Sequence, residues 1–242
     1  MLYLTKALNS TDLIDYLIVT ISILVVVACF IFVRTVRGGR NALTIKILAT
    51  IGTILAASYG ILTFSFKEAY LFILLGLVFS LVGDIMLDLK VIDRKNDTYY
   101  TNVGMGSFAL THVMYLFAIL CLTDGINMLA PVLVSVSISL AVSSLIMLVL
   151  KKPLKLDFGK FFWQSYIYSF ILIFMTAFSI YLSFFVSGLW IFALGLLLFL
   201  LSDLVLSTQY FGNKLDNKLL IIVNHTLYYL AQISIYSVIF FI

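Results

Sequence analysis

Two stretches of the chain carry an acid at matching places. "GLVFSLVGDIMLD" at 76–88 and "GLLLFLLSDLVLS" at 195–207 each open on a glycine and reach an aspartate, Asp84 or Asp203, eight residues later. Each is followed by His-x-x-Tyr, "HVMY" at 112–115 and "HTLY" at 225–228. Two carboxylates among apolar residues can divide labour: one, kept neutral, donates a proton, while the other, ionised, stabilises a cation or takes a proton from water. Two aspartates and two histidines can also hold zinc with a water in the remaining position. Either chemistry requires that the surrounding elements bring these residues together.

Those elements are membrane helices. The composition is 63% hydrophobic and only 11% charged, with a mean hydropathy of +1.17, whereas soluble domains carry about a quarter charged residues. Eight apolar runs are long enough to span a bilayer: 13–33, 45–66, 69–89, 103–123, 126–150, 161–182, 187–207 and 219–241. The runs are continuous rather than alternating, which favours helices over a barrel. The gaps between them are short, so residues 1–242 read as a single eight-helix transmembrane domain. The flank of the first run is weakly basic and carries acids, so it reads as a mature helix rather than a signal peptide. Cys29 and Cys121 lie in separate apolar runs and read as packed thiols.

Thirteen of the fifteen Lys and Arg residues flank or occupy the odd-to-even loops; only Lys6 and Lys67 fall on the other side. Basic loops stay in the cytoplasm, so both termini are expected on the non-cytoplasmic side, with the cell membrane as the expected location. The net charge of +4 is then a topology signal, aided by anionic lipid. It is not a nucleic-acid footprint, since the charges are scattered over four loops without a binding motif.

The third and seventh runs cross the membrane in the same direction, so pairs 3–4 and 7–8 read as candidate parallel repeats. Asp84 lies five residues before the end of its run and His112 nine residues into the next, depths of about 8 and 13 Å at roughly 1.5 Å per residue. Asp203 and His225 lie at similar depths. Gly76, Ser80, Asp84 and Asp88 follow one helical stripe, and His225, Tyr228, Tyr229, Gln232 and Tyr236 share one face of the last helix. Polar faces in lipid turn inward, which predicts a polar pocket inside the bundle. Asp88, nearer the interface, reads as solvated. Ser135, Ser139 and Ser143 read as a close helix contact, and "KKPLKLDFGK" as a loop.

The ordered motifs "GLVFSLVGDIML", "GMGSFALTHVMYLFA", "GLLLFLLSDLVL" and "YYLAQ" resemble the YhhN family of membrane proteins, from about the second run to the eighth. The resemblance implies an eight-helix integral membrane lysoplasmalogenase without a redox cofactor. Such an enzyme cleaves the vinyl ether bond of a lysophospholipid to a fatty aldehyde and a glycerophospho-head group. It places Asp84 and Asp203 as the acidic pair, with His112, Tyr115, Tyr228, Tyr229 and Gln232 in the surrounding pocket; Ser80, on the Asp84 stripe, reads as a further substrate contact, and Lys46, at the basic inner edge, as a candidate phosphate partner. The family often starts its second helix with Lys-Pro; "KILAT" keeps Lys46 without the proline. His225 lies outside the family motif. Vinyl ether hydrolysis suits two carboxylates, because protonation at carbon gives an oxocarbenium ion related to that of glycosidases.

Two other classes are consistent with parts of the pattern. A small-molecule or lipid transporter would also use parallel repeats and buried acids, but the helices show little Gly/Pro interruption and the acids lie off the midplane. A zinc-dependent lipid hydrolase would recruit the only two histidines, which no metal-ligand spacing links. The substrate partners expected are a lysophospholipid and the surrounding membrane lipid.

Overall fold

The computed structural model describes residues 10–63, 66–153 and 155–242. It contains α1 (Ser10–Arg37), α2 (Gly39–Thr63), α3 (Glu68–Ile92), α4 (Asp97–Leu122), α5 (Leu129–Ser144), α6 (Phe162–Ser183), α7 (Leu189–Tyr210) and α8 (Lys218–Phe241). A π-helical turn, Leu145–Leu150, continues α5. Among the described residues, eight helices are long and apolar enough to cross a membrane. The chain is therefore an all-α, multi-pass membrane protein, as the apolar runs predict. Lys6 and the flank before Ser10 lie outside the described residues.

Helix ends differ from the run ends for a physical reason. Hydropathy marks the hydrocarbon layer, but backbone hydrogen bonding continues into the interface, where polar side chains are solvated. Thus α1 continues to Arg37 and α4 starts at Asp97. The exposed faces carry Leu, Ile, Val and Phe, such as Phe32 and Leu62, suited to lipid. Trp163 and Trp190 are exposed at the starts of α6 and α7, where amphipathic rings favour the interface. Cys29 and Cys121 are exposed free thiols, so they lie on the outer surface and are not packed inside. Apolarity alone does not distinguish a lipid-facing position from a core position.

Packing is tightest within the hairpins α3–α4 and α7–α8, and α8 also touches α1, α2 and α3. Consequently α8 is the most enclosed helix, and its polar face from His225 to Tyr236 is buried. The two motif glycines explain the close approach. A Cβ on Gly76 would lie 2.3 Å from the Tyr115 ring, and one on Gly195 would lie 2.7 Å from Ile235 and 3.1 Å from the Ala231 carbonyl. Without a hydrophobic driving force between helices in lipid, such small-residue contacts let backbones pack directly. Ser135, Ser139 and Ser143 are fully buried, on the helix that packs against α6, as expected for a small-residue seam.

Gly195→Val is expected to cost about 1–3 kcal/mol, the range for overpacking, because part of its clash is with backbone that cannot rotate away. Thermal denaturation in detergent checks this by a lowered midpoint. A wild-type midpoint would mean that α7 and α8 do not meet at Gly195.

Candidate functional site

The site grows from the stripe on α3. Asp84 Oδ1 ion-pairs with Lys46 Nζ of α2 at 3.1 Å. Its Oδ2 accepts hydrogen bonds from Thr50 Oγ1 at 2.7 Å and from Tyr228 Oη at 2.8 Å. Three donors on two oxygens are the partners of a carboxylate that carries charge. Around this centre, Gln232 Nε2 donates to Tyr228 Oη at 2.7 Å and to Ser80 Oγ at 3.0 Å. Tyr229 Oη donates to the Lys46 carbonyl and lies 3.2 Å from Thr50 Oγ1. Ser80, Lys46, Tyr228, Tyr229 and Gln232 thus form one connected shell about Asp84.

Asp88 departs from the expectation. It is only 2% exposed, and its Oδ1 lies 3.4 Å from Lys46 Nζ. One turn from Asp84 along α3, it shares the same buried ammonium and is not solvated. The ammonium of Lys46 is therefore engaged by two carboxylates, and its charge is not free for a phosphate.

Asp203 has different surroundings. The hydroxyl of Tyr168 on α6 donates to its Oδ2 at 2.5 Å. Tyr168 was not legible as a site residue, but one signal existed. Thr50 precedes Asp84 by 34 residues and Tyr168 precedes Asp203 by 35, so each acid takes a hydroxyl from the helix before it.

Two cavities meet at Asp203. The first, of about 80 Å³, is almost wholly apolar and lies between α4, α6, α7 and the π turn, with Met105, Met147, Leu172, Leu200 and Leu204 among its walls. The second, of about 20 Å³, is polar and is lined by Arg34, Lys46, Asp84, Asp88 and His225 among others. Leu87, Phe108, Leu206 and Tyr210 line both, as does Asp203. Asp84 and Asp203 therefore face the same small polar space, with an apolar slot on the far side of Asp203.

The histidines do not converge as the motif suggests. His225 lines the polar cavity and packs edge-on against Phe30 at 4.8 Å. The Nδ1 of His112 pairs with the Phe108 carbonyl at 2.8 Å, and its ring packs edge-on against Phe199. Tyr115 is fully buried against Gly76 and Phe192. Neither His112 nor Tyr115 is among the residues lining the two cavities. Among the described residues, no three His, Cys, Asp or Glu side chains are grouped to hold a metal ion.

A YhhN family model matches residues 41–239. No curated protein and no solved structure matches the chain.

Proposed function

The chain belongs to the YhhN family, and on that premise we propose that it is a lysoplasmalogenase, hydrolysing the vinyl ether bond of a lysophospholipid in the membrane. The observation that carries the reading is the position of Asp203, between an apolar slot and a polar cavity that also holds the ion-paired Asp84. The alkenyl chain occupies the slot, its ether end meets Asp203, and the glycerol lies in the polar space.

In this reading Asp203 is the acid. It has a tyrosine hydroxyl as partner and no cation within ion-pairing distance among the described residues, whereas Asp84 is matched to Lys46. Asp203 gives its proton to the second carbon of the alkenyl chain, and the electron pair of the double bond forms the new C–H bond. The first carbon becomes an oxocarbenium centre, stabilised by the Asp84 carboxylate. Water adds there and yields a proton to Asp84, giving a hemiacetal. As the C–O bond breaks, Asp84 returns that proton to the glycerol oxygen and Asp203 recovers one from the hemiacetal hydroxyl. Aldehyde leaves and both acids regain their starting forms.

The test is incubation of the purified protein with vinyl ether, alkyl ether and ester lysolipids of one chain length, read by lipid mass spectrometry. Aldehyde should come from the vinyl ether, with the alkyl ether intact, since the latter has no double bond to protonate. Equal cleavage of both ethers, or fatty acid from the ester alone, contradicts the mechanism.

A further inference from the structure

We propose that Arg34, with Gln209, binds the phosphodiester of the lysolipid head group at the polar cavity. The identity of the lipid rests on the function proposed above; the anion-binding property rests on the geometry below.

Arg34 sits three residues before the end of α1 and is only 9% exposed. Its Nε and Nη1 are buried without a hydrogen-bond partner, and among the described residues no carboxylate lies within ion-pairing distance. A buried guanidinium is ordinarily paired, because leaving it alone forfeits its hydration with nothing in return. Gln209 of α7 is 4% exposed, and its Nε2 is likewise unpartnered. Both side chains line the polar cavity. Two sets of buried donors around one space ask for an acceptor. Among the described residues, none of the three acids lining that space pairs with Arg34: Asp84 and the Oδ1 of Asp88 face Lys46, and Asp203 takes the Tyr168 hydroxyl.

A phosphodiester supplies what is missing. Its two non-bridging oxygens carry one negative charge and match the planar fork of a guanidinium. One buried atom of the cavity asks for the opposite: Asp88 Oδ2 has no donor. A lysolipid carries a free hydroxyl between its ether and its phosphate. The order chain, ether, hydroxyl, phosphate then follows apolar slot, Asp203, Asp88, Arg34. The axial order agrees. Asp203 lies seven residues from the end of α7 and Arg34 three from the end of α1, roughly 10 and 5 Å deep at 1.5 Å per residue.

The experiment measures binding, not turnover. The full chain in detergent is titrated with an alkyl ether lysophosphocholine, which the mechanism leaves uncleaved, and with the neutral alkylglycerol of the same chain. Wild type should prefer the phosphodiester lipid by about ten- to a hundredfold, the range of a charge-assisted contact. Arg34→Gln should bring the ratio close to one, and Arg34→Lys should keep part of it, with the charge but not the fork. If Arg34→Gln does not fold, Arg34→Lys and Gln209→Leu carry the comparison, and each should lower the ratio. A wild-type ratio near one, or a ratio unchanged in these variants, overturns the assignment. Inorganic phosphate at millimolar concentration should displace the lipid poorly. Displacement as effective as that by the phosphodiester lipid would assign Arg34 to a free anion and overturn the head-group role. Because no cleavage is read, failure of the vinyl ether chemistry would leave this ratio standing, and the two failures are distinguishable.

Discussion

Asp203→Asn is expected to lower the rate of aldehyde release by about 10²–10⁴-fold, the usual contribution of a positioned proton donor, in a protein that still folds. Asparagine keeps the volume, and its carbonyl can still accept the Tyr168 hydroxyl that Asp203 accepts at 2.5 Å. It has no acidic proton to deliver to carbon. Asp84→Asn should also remove most activity, because the oxocarbenium ion would lose its counter-charge. The two residues act on one reaction path, so the double variant should be little worse than the worse single one. Aldehyde production by purified, monodisperse, helical protein is the measurement. Wild-type rates in Asp203→Asn would remove Asp203 from the chemistry.

The second large effect is on stability. Lys46→Met should destabilise the protein by about 3–5 kcal/mol, the cost of leaving a buried charge without its partner. Here two carboxylates lose the same ammonium, Asp84 at 3.1 Å and Asp88 at 3.4 Å. Adding Asp88→Asn to Lys46→Met should recover part of the loss, because one of two neighbouring like charges is then gone. Asp88→Asn alone should also be less stable than wild type. Thermal denaturation of the four proteins gives the coupling between the two sites. A Lys46→Met protein as stable as wild type would mean that the three charges do not share a buried site.

The helix count was legible because eight continuous apolar runs have no other stable form in lipid. The shell around Asp84 was legible because Ser80, Tyr228, Tyr229 and Gln232 follow helical stripes, and a polar stripe in lipid faces inward. What escaped had no such stripe. Thr50 and Tyr168 are single hydroxyls in apolar helices, meaningful only once α2 packs on α3 and α6 on α7. Asp88 looked interfacial because its distance from the run end is short, yet the side chain turns to a lysine on the neighbouring helix. His112 shares the spacing of His225 to the following tyrosine, but its Nδ1 is taken by the carbonyl one turn back. Periodicity could not reveal that local partner. Arg34 was legible as a topology charge; its burial beside the polar cavity was not.

The central claim is that a carboxylic acid protonates carbon. The most direct measurement is the isotopic content of the aldehyde formed in D₂O from a vinyl ether lysolipid, trapped at once by borohydride reduction and read by mass spectrometry. The mechanism predicts a chain of unchanged length carrying one deuterium on its second carbon, with the product nearly lost in Asp203→Asn. An aldehyde without deuterium at that carbon, a chain shortened by one carbon, or no aldehyde at all would contradict it.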